Sequence, residues 1–438
     1  VSDADPGADR PGSPADGSRR LRIAVVGSGI SGLGAASMLC RRHDVTVFEK
    51  EGRIGGHSCT VDAETPEGTV PVDMGFIVYN DRNYPLLTEL FSRLQVPVAD
   101  SDMSFGVSAD GGALEYGTRS PMGLVAQPGN LARPAFLGML RDILRFNRMA
   151  RGFVERRPDA SLAECLDGLR MGDWFRRHYL LAMAGAIWSS PPSGMLDFPA
   201  RTLVGFFDNH GLLAVRGQPQ WRTVVGGSKE YVRRLAEPFR GSVRAGRAVS
   251  KVARRGSGVE VAAEGAPPER FDHVVLACHS DQALRMVDEP SRVERDVLGA
   301  IGYRPNVAVL HGDESLMPRR RRAWSSWVFL AESLGAGAPR VCLSYWMNSL
   351  QPLETRRTML VTLNPTRDPD PALVHAERTF EHPVFDAAAV AAQGRIGEMQ
   401  GAGGIWYCGA WQGHGFHEDG LASAARVAEM IDPEAGEK

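Results

Sequence analysis

The chain has 438 residues, 50 basic and 52 acidic, for a formal charge of −2, and 43% of its residues are apolar. At ~150 residues per domain this predicts two or three domains with sizeable cores. The near-balance of charge gives no global reason to bind nucleic acid, and no run approaches the ~18–20 apolar residues that a membrane-crossing helix needs. Lysine is scarce: only Lys50, Lys229, Lys251 and Lys438 occur.

Residues 1–20 are rich in Asp, Pro, Gly and Ser without an apolar run, which predicts a disordered lead-in and not a secretory signal. Residues 21–26 read as a short β-branched strand. It enters Gly27-Ser-Gly29-Ile30-Ser31-Gly32, followed by a helix over 33–42 and an alternating strand over 44–49. Residues 81–220 read as helical, with helices predicted over 84–94, 131–154 and 171–186. Strand patterns return at 243–252, 259–263, 271–277, 307–311, 340–346 and 358–363. The last elements are a strand over 404–408 and a helix over 421–431. The fold class is therefore α/β. A discontinuous Rossmann-like dinucleotide-binding domain is expected at 21–80, 221–290 and 396–432, and an inserted α+β substrate domain at 81–220 and 291–395. Cys40, Cys59, Cys165, Cys278, Cys342 and Cys408 stand singly, so neither a zinc site nor a disulfide framework is expected, and a cytoplasmic setting fits.

Each glycine of Gly27-x-Gly29-x-x-Gly32 has a physical task. Gly27 permits the tight turn, Gly29 lets backbone approach a pyrophosphate, and Gly32 lets the helix pack on the sheet. The amides at the helix start attract phosphate. Glu49 follows Gly27 by 22 residues, at the end of the next strand, where it can accept both hydroxyls of an adenosine ribose. NAD and FAD are both compatible with this much. Three features favour FAD. The pair Gly55-Gly56 just beyond Glu49 allows a further backbone approach. Gly409-Ala-Trp411-Gln-Gly413-His414-Gly415-Phe416-His417-Glu-Asp-Gly420-Leu421 precedes a helix whose first amides could stabilise a reduced flavin ring. No second strand–GxGxxG–helix unit occurs; Gly335-x-Gly337 and Gly401-x-Gly403 lack the flanking elements.

In order and spacing these segments resemble the superfamily of flavin-containing amine oxidases and phytoene desaturases, over nearly the whole chain after residue 21. Val72-Asp73-Met74-Gly75 resembles the family's segment running under the flavin. Val224-Val225-Gly226-Gly227-Ser228 resembles the turn that re-enters the FAD domain, and Val249 the strand residue whose backbone meets the adenine. Tyr407-Cys408-Gly409 and the segment 415–423 resemble the C-terminal flavin motif. The phrases Gly55-Gly-His-Ser58, Asp102-Met-Ser-Phe105, Phe206-Phe-Asp-Asn-His210, Tyr345-Trp-Met-Asn-Ser-Leu-Gln351, Val361-Thr-Leu-Asn-Pro365 and Gly415-Phe-His-Glu-Asp-Gly420 resemble a bacterial branch found beside, or fused to, cyclopropane-fatty-acid synthases. The resemblance implies an amine-oxidase-like two-domain architecture with FAD. The implied contacts are Gly27, Gly29, Ile30, Ser31, Gly32, Glu49, Lys50, Gly55, Gly56 and His57. They continue with Gly75, Phe76, Ile77 and Val249, and with Gly409, Phe416, His417, Gly420 and Leu421.

Two departures matter. The family's Gly-Gly-Arg is Gly55-Gly56-His57 here, a shorter and titratable group. Many amine oxidases also place a lysine on a substrate-domain strand near flavin N5, and none of the four lysines falls there. That suits members that oxidise carbon–carbon bonds.

Several side chains carry two readings. His414 and His417 form H-x-x-H, but converging further ligands are lacking, so no metal is expected. Phe416 stands where amine oxidases carry a cage aromatic, or is a core phenylalanine. His210 is a candidate acid/base or a hydrogen-bonded core histidine. Tyr345, Trp346 and Asn348 line a substrate cavity or pack a strand, and Trp411 is a further candidate. Arg319 to Arg322 form a solvated loop or a contact for anionic headgroups. The stretch 136–153, with Arg141, Arg145, Arg148 and Arg151, is a membrane-facing basic helix or a domain-packing one. Cys278 and Cys408 end buried strands and read as small core residues.

The expected function is an FAD-dependent oxidoreductase, with hydride passing from a substrate C–H bond to flavin N5 and on to an external acceptor such as O2. The expected substrate is a small, apolar acyl, lipid or polyene molecule, desaturated or dehydrogenated. The alternatives are an amine or amino-acid oxidase, an FAD-dependent isomerase or cyclase without net redox change, and a non-catalytic partner of a lipid methyltransferase. A peripheral membrane contact is a further expectation.

Overall fold

The structure, a computed structural model, describes residues 19–188, 195–214, 217–331 and 342–435. The lead-in over 1–18, Gly335-x-Gly337 and Lys438 lie outside the described residues. Two compact units form. One comprises Val1–Gly56, Val232–Gly299 and Gln393–Lys438, the other His57–Tyr231 and Ala300–Ala392. Among the described residues no helix is long and apolar enough to cross a membrane.

The first unit is built on a parallel sheet in the order Val243–Arg244, Asp44–Phe48, Arg22–Val26, His273–Leu276, Ile405–Tyr407. The central strand Arg-Ile-Ala-Val-Val buries its last four residues. Burial on both faces, not on one, is why it reads as a continuous apolar run. Helix Ile30–Leu39 follows, and helix His417–Ile431 packs on it: a Cβ on Gly34 would sit 2.8 Å from Leu421 Cδ1. The predicted strand over 243–252 divides in two. Val243–Arg244 joins the parallel sheet, Gly246 turns at φ +67°, and Val249–Arg255 starts an antiparallel sheet with Gly258–Ala263 and Glu269–Phe271. The pattern over 271–277 divides likewise between Glu269–Phe271 and His273–Leu276.

The second unit contains a seven-stranded sheet in the order Val374–Val384, Gly302–His311, Leu360–Leu363, Cys342–Trp346, Trp327–Ala331, Phe105–Ala109, Leu114–Gly117. Only Trp327–Ala331 with Phe105–Ala109 is a parallel pair. Residues 81–220 are not purely helical: Val98–Ser101, Phe105–Ala109 and Leu114–Gly117 are strands. These are four or five residues long, too short for a clear period. Edge strand Val374–Val384, eleven residues, gave no signal because it is rich in polar residues and only Phe380 is buried. The helix predicted over 171–186 is interrupted by a π-turn at Arg176–Leu180. The segments 57–80 and 221–231 pack in this second unit. There Thr60–Thr65 pairs with Gly68–Asp73, and Trp221–Val224 with Val78–Asn80 and Val98–Ser101.

Candidate functional site

In the first unit, the turn after Arg22–Val26 is fixed by close backbone approach. Gly27 has φ +104°, donates its N–H to Phe48 O at 2.8 Å, and would place a Cβ 2.8 Å from Ala277 O. A Cβ on Gly32 would lie 1.9 Å from Gly27 O. Both positions therefore exclude side chains for reasons internal to the fold. Gly29 differs: at φ −70° it caps helix Ile30–Leu39, and its Cβ would meet nothing within 4 Å. Open space lies at a helix start that has no side-chain cap and no acidic residue in its first turn. The first amides of such a helix lack intrahelical acceptors and form an anion site. Gly56, at φ +56°, backs this turn, its Cβ direction 3.1 Å from Gly29 Cα. Gly55 donates to Ser28 O at 3.0 Å.

Glu49 is buried at the end of Asp44–Phe48. Its Oε2 accepts from Ser28 N at 3.0 Å and Ser28 Oγ at 2.6 Å, and its Oε1 from Glu51 N at 2.9 Å. The carboxylate is thus held in one orientation while keeping further lone pairs. Ser28 had no role in the sequence reading; its hydroxyl is visible only once the strand ends are adjacent. Val249 is half-buried beside a bulge at the start of its strand, and Lys50 is exposed.

The C-terminal motif lies in the same unit. Phe416 caps helix His417–Ile431 and is half-buried; its N–H donates to Asp419 Oδ2 at 2.9 Å. Glu418 and Asp419 occupy the first turn, so two carboxylates offset the positive helix end that was expected to favour a reduced ring. Gly420 packs at the start of the other helix, its Cβ direction 2.8 Å from Ser31 Oγ. Trp411 is buried and donates its indole N–H to Cys278 O at 3.2 Å, which makes it a packing residue of the turn. Burial pushes the Cys278 thiol up to about 12 and raises that of Cys408, in keeping with inert thiols. His414 lies 3.8 Å from Asp419, which raises its pKa. Among the described residues no three His, Cys, Asp or Glu converge as for a metal.

A buried clamp braces the same unit. Glu294, fully buried, accepts from Tyr407 Oη and Arg254 Nη2, each at 2.5 Å, and from Ser291 N at 2.7 Å. Burial opposes ionisation, but these donors together hold its carboxyl below the usual range. The Ser291-x-x-Glu294 spacing of a capping box was the sequence signal for it.

In the second unit, Gly75 lies against the 57–59 segment. A Cβ there would be 2.0 Å from His57 O, which accepts from Phe76 N at 2.9 Å. Ile77 O accepts from Thr223 Oγ1 at 2.8 Å. His57 has its ring against Phe380 at 5.2 Å and His382 at 5.4 Å. Just before Gly75, Asp73 is fully buried and gathers four donors: Thr60 Oγ1 at 2.6 Å, Ser228 N at 2.9 Å, Ser228 Oγ at 2.8 Å and Gln351 Nε2 at 2.9 Å. Desolvation raises its pKa to about 6 against the pull of these donors. This knot joins three segments far apart in sequence, which is why sequence reading missed it.

Tyr345, Trp346 and Asn348, read as lining a cavity or packing a strand, all make packing or tying contacts. Tyr345 and Trp346 are neighbours on one strand and point to opposite faces of the sheet. Tyr345 stacks edge-on with Trp327 at 4.9 Å, while Trp346 packs with Trp324, Met317, Val328 and Leu360. Asn348 donates to Arg357 O and accepts from Met359 N, both at 2.8 Å, as a structural tie. His210 stacks on Phe206 at 3.8 Å with Nδ1 2.9 Å from Phe206 O, in keeping with its core reading. The arginine run is not uniformly solvated: Arg320 pairs with buried Glu115 at 2.8 Å, and Arg321 covers Trp324 at 3.5 Å.

Comparison with known proteins follows the same lines. The profile of the flavin-containing amine oxidoreductases matches residues 30–360. The chain belongs to this family. A Mycobacterium tuberculosis (strain CDC 1551 / Oshkosh) protein that bears the name flavin-containing monoamine oxidase AofH is 30% identical over 257 residues, 55% of this chain and 53% of that protein. The chain thus matches about half the length of that curated relative. Among solved structures, a cofactor-binding redesign of putrescine oxidase superposes with TM-score 0.67 at 17% identity, over 95% of this chain and 100% of the other. A fatty acid isomerase from P. acnes that produces CLA gives TM-score 0.65 at 13% identity, over 94% and 98%. At these identities the likeness is one of fold. It agrees with the α/β two-domain architecture expected from sequence.

Proposed function

We propose that the protein is an FAD-dependent oxidoreductase that dehydrogenates an apolar substrate, an acyl chain or a polyene. The observation that carries the cofactor is the open cradle at Gly29 beside uncapped helix amides, with Glu49 fixed at the end of the neighbouring strand. Gly27, Gly29, Ile30, Ser31 and Gly32 hold the pyrophosphate by backbone, and Glu49 receives the adenosine ribose hydroxyls. The backbone at Val249 meets the adenine. Bound FAD supplies a hydride acceptor, so the chain needs no side-chain nucleophile, in keeping with its inert buried thiols. Its own tasks are to orient the substrate, exclude water and pass two electrons to an external acceptor.

The preference for carbon–carbon over carbon–nitrogen oxidation rests on lysine. Lys50 is exposed next to Glu49, Lys229 pairs with Asp62 at 2.5 Å, and Lys251 pairs with Asp288 at 3.0 Å. Strand Gly302–His311, where the family pattern would place a lysine, carries none. A second reading, an amine oxidase, is favoured by the name of the mycobacterial relative. A third, isomerisation without net redox change, is favoured by the fold shared with a fatty acid isomerase.

The deciding experiment is anaerobic titration of purified protein with fatty acyl compounds, polyenes and amines, followed by flavin absorbance. Bleaching by an acyl compound or polyene supports the proposal. Bleaching by amines alone moves the protein to the second reading. Mass-neutral product without bleaching moves it to the third. A colourless protein that takes up no FAD on reconstitution overturns all three.

A further inference from the structure

We infer that the outer face of helix Pro134–Arg156, together with the segment that leads into it, docks the protein on an anionic lipid membrane. The inference is independent of the flavin reading. The helix is amphipathic in an unusual sense. Its buried seam is Phe136, Met139, Asp142, Phe146, Ala150, Phe153 and Val154. Positions 137, 141, 144, 148 and 151 fall on the opposite side, within ~40° of one line at 100° per residue. In a helix that merely covers a core this line is typically polar. Here it reads Leu, Arg, Leu, Arg, Arg, with Leu137 47% and Leu144 59% exposed.

The apolar exposure is not scattered. Of the ten large apolar side chains exposed among the described residues, five lie between 122 and 149: Met122, Leu131, Leu137, Leu144 and, about 120° off the outer line, Met149. Single exposed leucines need no explanation, but clustering on neighbouring elements does. The elements are tied together within this unit. Arg133 Nη1 donates to Ala113 O at 2.9 Å, and Arg320 Nη1 to Gly112 O at 3.3 Å. Gly123, next to Met122, lies against Arg322 O, 3.1 Å from its Cβ direction. The arginine run 319–322 therefore borders the apolar residues.

The charge selects the occupant. Arg141 lies 3.7 Å from Asp142 Oδ1 yet keeps a side chain 76% exposed, and Arg148 and Arg322 are also exposed. The acidic neighbours are largely engaged: Asp142 is buried with Arg145, Asp208 pairs with Arg151, Glu115 is buried under Arg320, and Glu314 holds Arg321. Asp110, Glu155 and Asp159 are further exposed acids nearby. Leucines that enter the acyl boundary between arginines that meet phosphate are the pattern of a helix lying in an anionic interface.

The test is vesicle flotation of the full chain with phosphatidylglycerol–phosphatidylcholine vesicles and with phosphatidylcholine alone, at low and high salt. Wild type is expected to float with the anionic vesicles at low salt and to be released by salt or by omission of the anionic lipid. Arg141→Gln and Arg148→Gln should each weaken binding about fivefold. The double variant Leu137→Ser, Leu144→Ser should weaken it about tenfold or more with little change in the melting curve, since neither residue belongs to the buried seam. Failure of wild type to float with anionic vesicles overturns the inference, as does wild-type binding by a folded leucine double variant. A concentration-dependent dimer that Leu144→Ser dissolves also overturns it, by assigning the face to a second copy of the chain.

Discussion

Glu49 Oε2 accepts both polar hydrogens of Ser28, the amide at 3.0 Å and the hydroxyl at 2.6 Å. The carboxylate proposed to read the ribose is therefore also the brace of the first glycine turn. Ser28→Ala removes the hydroxyl bond and leaves a buried carboxylate less well solvated. The expected cost is about 1–3 kcal/mol in urea unfolding. FAD titration should show weaker binding as well, because Glu49 is then held by the Ser28 and Glu51 amides alone. Unchanged affinity in a destabilised variant would separate the two roles.

Gly29 and Gly32 make opposite demands. Gly32→Ala places a methyl 1.9 Å from a backbone oxygen that cannot move aside, so soluble expression should collapse. Gly29→Asp meets no neighbour within 4 Å and needs no positive φ, so the protein should fold. Its carboxylate would occupy the proposed phosphate position and repel it. The expected product is a folded, colourless protein, checked by circular dichroism and by the visible absorbance of oxidised flavin. A yellow Gly29→Asp protein with full FAD content would remove the cradle.

Asp73 makes stability depend on pH in a direction unusual for a carboxylate. Its folded pKa, about 6, lies above the ordinary 3.8. The folded state thus binds more protons between those values, and stability falls as pH rises from about 4 to about 6, then levels off. The change is at most about 3 kcal/mol. Asp73→Asn abolishes this slope. It also sets an amide against an array of four donors, at a cost of about 1–3 kcal/mol at neutral pH. Chemical denaturation of both proteins across this pH range checks the sign. A wild type that gains stability relative to the variant as pH rises from 4 to 6 would contradict the assignment.

The parts legible in sequence were those set by local rules. The Gly27 turn, its flanking strand and helix, and Glu49 all follow from short-range backbone needs, and they stand where the spacing put them. The unread parts depend on partners distant in sequence. Asp73 draws on Thr60, Ser228 and Gln351, and no local pattern announces such a meeting. Tyr345 and Trp346 looked like companions because they adjoin in sequence, whereas the two-residue period of a strand separates them. The helical reading of 81–220 failed where strands were too short to show that period.

The contact of helix Ile30–Leu39 with His417–Ile431 bears on how the chain matures. The first helix leaves the ribosome roughly 390 residues before its partner. Strand Ile405–Tyr407, at one edge of the parallel sheet, arrives equally late. During synthesis the Gly34 face must wait uncovered, and closing so long a loop is a slow, non-local event. A nascent chain halted before residue 417 holds the phosphate turn without the helix that packs behind it. Timing, as much as geometry, then decides when this turn can first hold a ligand.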